Sequence, residues 1–209
     1  MKFKKLLISI IITFCITAFT QAQSIQENFE NGKKAFYADN FEEANKYFAF
    51  ILEKESDDYE TSYYKALVYE INFDNDKAIS ELTNAIIFKK KNSDAYFERG
   101  TIYDKQGKFN EAIDDYTNAI KYNKKFPDAY FNRASDLQEL KLFDNAIIDY
   151  GKVIDLNPAD DIAFYNRGLL YKELQQNNLA VEDFETAIRI DSIWEHELRP
   201  VIEQLKSGQ

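Results

Sequence analysis

The sequence predicts an all-α chain, a solenoid of stacked helix pairs, and three observations predict it. The hexapeptides Ala95–Gly100, Ala129–Ala134 and Ala163–Gly168 recur at a step of 34 residues. That step extends without insertion or deletion through the blocks 25–58, 59–92, 93–126, 127–160 and 161–194. Within each block the apolar residues fall twice into the helical period of i, i+3, i+4, i+7. A unit of this size cannot bury its apolar faces alone, so neighbouring units must stack.

Before the first block, residues 1–22 carry Lys2, Lys4 and Lys5, an apolar run Leu6–Phe19 and the small-residue end Thr20-Gln21-Ala22. This is the pattern of a secretory signal peptide cleaved after Ala22, with an uncleaved anchor as the alternative, and the apolar run is short for a membrane span. The expected product is an exported chain, periplasmic, envelope-associated or secreted, with no membrane insertion after cleavage. Cys15 is the only cysteine, so the mature chain has neither disulfide nor thiolate chemistry.

The five blocks then follow in order. Their eighth residues are small: Gly32, Ala66, Gly100, Ala134 and Gly168. So are the twentieth: Ala44, Ala78, Ala112, Ala146 and Ala180. Small residues at both places let paired helices approach closely. The twenty-fourth residues, Phe48, Leu82, Tyr116, Tyr150 and Phe184, are large and fill the space between pairs. In the third block Tyr96, Gly100 and Tyr103 mark the first helix, and Ala112, Tyr116, Ala119 and Ile120 the second. Gly107 is placed to end the first helix. The eighteenth residues, Glu42, Asp76, Asn110, Asp144 and Asn178, cap the second helix or sit in its positive first turn. After the last block, Leu198, Val201, Ile202 and Leu205 predict one further helix, its start left open between Ile193 and Arg199 because of Pro200.

The small residues at 8, 20 and 27, the aromatics at 4, 11 and 24, and Leu156-Asn157-Pro158 together resemble the tetratricopeptide repeat. The first two blocks are looser, with Asn28 and Ser62 at the fourth position. The resemblance implies a right-handed superhelical solenoid with a C-terminal capping helix in residues 195–209. It also implies that the first helices line a concave face that binds protein.

Position 7 holds Lys65, Arg99, Arg133 and Arg167 in four blocks, and position 23 of the same blocks holds Glu81, Asp115, Asp149 and Asp183; the first block has neither charge. An ion pair inside each repeat is expected, bidentate for arginine. An arginine ladder capturing an anionic partner is the alternative.

No catalytic constellation is legible. The mature chain has one histidine, His196, no phosphate-binding glycine loop and no usual zinc-ligand set. Phe73-Asp74-Asn75-Asp76 lacks the glycine and glutamate of a calcium loop. No cofactor, metal or catalytic residue is expected. The net charge of −10, which becomes −13 once Lys2, Lys4 and Lys5 are removed, disfavours nucleic acid.

Carrying the concave positions of the family onto this chain gives Phe29, Lys33, Tyr63, Glu70, Asp94, Phe97, Thr101, Asp104, Asp128, Phe131, Glu139, Tyr165, Lys172 and Glu173. The resemblance, the absence of a catalytic constellation and the signal-peptide pattern together point to a non-catalytic adaptor in a bacterial envelope. Its acidic, aromatic-lined groove would take a basic or aromatic extended peptide or protein. A self-assembling component, or an accessory subunit of an envelope enzyme or secretion complex, is the other reading; oligomeric state stays open.

Overall fold

The computed structural model describes residues 24–55 and 57–207; the signal-peptide reading of residues 1–22 lies outside them. The chain divides into two compact units, one ending at Ala95 and one beginning at Tyr96. Every regular element among the described residues is helical.

The N-terminal unit holds α1 (24–37), α2 (Phe41–Leu52), α3 (Tyr59–Ile71) and α4 (Asn75–Phe88). Ile25, Phe29, Ala35, Ala44, Phe48, Ile51 and Val68 form its buried cluster. Its helix starts are closed by side chains. Asn40 Oδ1 accepts from Glu43 N, Asp58 Oδ1 from Thr61 N, and Asp74 Oδ1 from Lys77 N. Each satisfies one of the amides that a helix start leaves without an internal partner.

The C-terminal unit contains most of α5 (Ser93–Lys105), then α6 (Phe109–Tyr122), α7 (Pro127–Glu139), α8 (Phe143–Leu156), α9 (Asp161–Glu173), α10 (Asn177–Ile190) and α11 (Glu195–Ser207). Lys108, Leu142 and Gln176 precede the second helices here and make no side-chain cap. Pro127 opens α7, where a missing N–H costs nothing.

The residues at position 18 are not caps: the helices begin one residue earlier, so Glu42, Asp76 and Asp144 act from the first turn, on the helix dipole. Gly107 ends α5 with φ of 70°, and the structure extends that device to every repeat. Asp39, Phe73, Lys141 and Gln175, at the same fifteenth position, have φ of 59°, 60°, 59° and 58°. Only one of the five is glycine, so the other turns hold L side chains in a left-handed conformation.

The position-8 rule has a local cause. A Cβ at Gly100 would stand 2.9 Å from the Tyr116 ring, and one at Gly168 would stand 2.7 Å from the Phe184 ring. A Cβ at Gly32 would collide with Phe48. The alanines at position 20 are all buried. The terminal helix begins at Glu195, so Pro200 lies inside it and leaves the His196 carbonyl without its usual donor. Leu198 and Ile202 nonetheless bury fully against α10 residues Phe184, Ala187 and Ile188. Trp194 joins that cluster, stacks on Tyr165 at 4.3 Å and donates from Nε1 to Asp161 Oδ2 at 2.6 Å.

Candidate functional site: an acidic surface on the C-terminal unit

The arginines of the first helices are committed to the fold. Arg99 Nε and Nη2 donate to Asp115 Oδ2 and Oδ1 at 2.7 and 2.8 Å. Arg133 meets Asp149 at the same two distances, and Arg167 meets Asp183 at 2.8 Å twice. The carboxylates are buried. The guanidinium carbons lie 5.9, 5.8 and 5.6 Å from the rings of Tyr96, Tyr130 and Phe164 at position 4, adding a cation–π contact to each pair. Burial, outweighing the arginine, leaves the Asp115 carboxyl above its ordinary range. The ladder reading is thereby ruled out for these three side chains, whose paired faces are spent inside each repeat. Lys65, the fourth cation of the series, is buried in the N-terminal unit.

The position-5 aromatics are also tied into the packing of the helices. Phe29 is only 5% exposed and packs on Phe48 and Tyr64. Tyr63 stacks on Tyr59 at 5.5 Å. Phe97 lies 4.7 Å from Phe126 and 5.8 Å from Tyr116, and Phe131 meets Tyr150 edge-on at 5.4 Å. Tyr165 is covered by Trp194, and its hydroxyl donates to Glu197 Oε1 at 2.9 Å. The rings at position 34, Phe126 and Trp194, thus cover the rings at position 5 in two repeats. All five of these rings are buried or half-buried.

In the N-terminal unit, Lys33 pairs with Glu30 at 3.5 Å and lies over Phe29, and Glu70 is half-buried. Asp94, in the first turn of α5, takes a hydrogen bond from Ser93 Oγ and is exposed, as are Asp128, Glu139, Lys172 and Glu173.

Three predicted residues of the C-terminal unit come together around a fourth that position-by-position transfer missed. Thr101 Oγ1 donates to the Phe97 carbonyl and accepts from the Tyr116 hydroxyl at 3.4 Å; Asn132 Nδ2 donates to the same hydroxyl. Asp104 lies beside this chain and acts on Tyr116. Asp136, one helix on, is 1% exposed, and its Oδ2 has no hydrogen-bond partner. The Asp104 carboxyl acts on it from α5, and Glu139 adds a further negative field. Burial, then Asp104, pushes the Asp136 carboxyl up to about 8. The signal for Asp136 was present in the repeat: its position 10 is Val68, Ile102 and Leu170 in three of the other blocks, with Lys34 in the first. A carboxyl at a core position is the departure to look for.

Family models of the tetratricopeptide repeat match residues 29–95, 93–126, 127–160 and 162–193. The chain belongs to the tetratricopeptide repeat family. No curated protein matches it. Among solved structures it is similar to a crystal structure of MamA, with TM-score 0.69 and 24% identity over 77% of this chain and 94% of that one. It is similar also to YrrB, described as having an unusual peptide-binding site, with TM-score 0.64 and 21% identity over 85% and 92%. The first repeat domain of RPAP3, bound to an HSP90 peptide, aligns with TM-score 0.51 and 32% identity over 55% of this tetratricopeptide repeat chain and 93% of that one.

Among the described residues of this repeat protein, no group of three or more His, Cys, Asp or Glu side chains is placed to hold a metal ion. No described helix is long and apolar enough to cross a membrane.

Proposed function

We propose that the chain is a non-catalytic interaction scaffold of the cell envelope, whose C-terminal unit binds a basic segment of a partner protein. The observation that carries this is the arrangement of charge on α5, α7 and α9. Their three arginines are locked into Asp115, Asp149 and Asp183. The Asp104 and Glu139 carboxyls that act on buried Asp136 have no arginine ion pair of this kind. A half-buried acidic surface attracts cationic segments and speeds their encounter. The family, and the peptide-bound or peptide-binding solved structures, support a protein or peptide as partner. Export is supported by Lys2, Lys4, Lys5 and the apolar run Leu6–Phe19.

The test is selection from a random decapeptide library at two salt concentrations. Basic sequences are expected, with affinity falling as salt rises. Asp104→Asn with Glu139→Gln should weaken the selected peptides at least tenfold while circular dichroism stays helical. The aromatics are unsuitable for this test: Phe97→Ala or Phe131→Ala removes core contacts along with any ligand contact. Enrichment of acidic sequences would overturn the proposal. Cell fractionation and N-terminal sequencing test the location.

A further inference from the structure

We propose that the Asp104–Asp136 carboxyl pair is the seat of a single cationic side chain, an arginine or lysine of the partner protein. This rests on the groove reading above and names the group that the groove receives.

Three observations carry it. Asp136 stands at position 10, which Val68, Ile102 and Leu170 fill with apolar packing in other repeats. It is 99% buried yet leaves Oδ2 without a donor, a costly state for a carboxyl. The charged groups acting on it are Asp104 from α5 and Glu139 from its own helix, both acids; Tyr116 from α6 and Tyr150 from α8, two buried tyrosines, feel its charge. The site therefore gathers acceptors and negative charge beside two buried tyrosines, and the charged groups acting on Asp136 include no cation.

What the site lacks is a positive group with several N–H donors, and a guanidinium or ammonium supplies both. Two adjoining carboxyls with aromatic neighbours suit an organic cation, whose flank can lie on a ring. In the unliganded protein a proton takes the cation's place, held by Asp136 against the Asp104 carboxylate. On docking, that proton passes to solvent and the cation pairs with both carboxylates, so one positive charge replaces another. Half-buried Asp104 makes the first contact, and Asp136 behind it holds the second negative charge.

The experiment uses the full chain and N-acetyl-arginine amide as probe, with N-acetyl-citrulline amide as its uncharged match. Carboxyl carbon resonances of Asp104 and Asp136 are followed by NMR. The arginine probe should shift both saturably and lower the Asp136 titration midpoint, and the citrulline probe should shift neither. Below about pH 8 the probe's affinity should fall roughly tenfold per pH unit, because only the deprotonated pair binds. Asp136→Asn mimics the protonated carboxyl and so preserves the fold; it should weaken the probe at least tenfold and flatten the pH dependence. No saturable shift up to about 100 mM probe, equal binding of the citrulline probe, or full affinity in Asp136→Asn would each overturn the seat. Selected basic peptides that bind Asp136→Asn normally would overturn the seat and leave the groove reading intact. Acidic selected peptides alongside a saturable, Asp136-dependent probe response would overturn the groove reading and support the seat.

Discussion

The two units hold the same 34-residue register by different means. In the N-terminal unit, Asn40, Asp58 and Asp74 close three helix starts with side-chain hydrogen bonds, and position 7 carries Asn31 and Lys65. In the C-terminal unit, Lys108, Leu142 and Gln176 leave the second-helix starts uncapped and only Asp160, the counterpart of Asp58, closes a first-helix start, on α9, but Arg99, Arg133 and Arg167 tie first helix to second. The second helices of one unit are held by contacts between residues three apart, those of the other by contacts sixteen apart. The difference teaches that a repeat register specifies helix pairing without specifying which interaction secures it.

The largest expected effect breaks a tie of the second kind. Asp149→Ala strands the Arg133 guanidinium and should cost about 3–5 kcal/mol in urea unfolding. Tyr47→Ala, at the same position in the first repeat, should cost well under half of that, since no ion pair is lost. A small loss for Asp149→Ala would show that the pairs are decoration. A double-mutant cycle with Arg133→Ala should return coupling on the order of 1 kcal/mol or more.

Close approach of paired helices should be next in size. Gly168→Ala pushes against Phe184 and should destabilise by about 1–3 kcal/mol. Ala66, whose twenty-fourth partner is the smaller Leu82, already accommodates the methyl group. Ala112→Leu, at a fully buried alanine, should cost as much; a neutral result in thermal melts would contradict the packing at that crossing.

Asp136 sharpens the comparison through pH. Its folded carboxyl titrates at about 8, far above an unfolded aspartate. Between about pH 4 and 8 the native state therefore holds a proton that the unfolded chain has released. Its contribution to stability is fully present below about pH 4 and is lost as pH rises through 8. Asp136→Asn should lack this slope, so its stability advantage over the native protein should grow with pH, by at most about 1.4 kcal/mol per unit. Parallel pH profiles for the two proteins in urea melts would rule out the raised carboxyl.

Phe73 is 89% exposed at φ of 60°. Phe73→Gly should stabilise the N-terminal unit by about 1 kcal/mol, as glycine does at such a helix end. The smallest change imports the N-terminal device into the other unit: Lys108→Asp creates a cap for α6 and should add about 0.5 kcal/mol or more. No gain there would mean that helix starts in the C-terminal unit are already satisfied by packing.

Much of the fold was legible because a repeat multiplies each local signal fivefold. The buried alanines at position 20, the arginine–aspartate pairs and the terminal helix all followed from spacing. The site was less legible. Transfer by position found Thr101, Asp104 and Glu139 but not Asp136, because position 10 belongs to the core in three of the other four repeats. The five aromatics at position 5 were legible as a series, but not their cover: Phe126 and Trp194 reach them across a turn, and that contact depends on loop geometry.

By itself the sequence determined the period, the helix pairing and the partners of the arginines, since these depend on residue type and on separations of 3.6 or 16 residues along the chain. Only the tertiary structure decided which helix ends are capped by side chains, that four L residues hold the left-handed turn, and that Asp136 meets Asp104. The physical reason is that a carboxyl's burial and charge depend on what the next repeat places against it. Those neighbours lie about 32 residues away, and no local pattern encodes their distance.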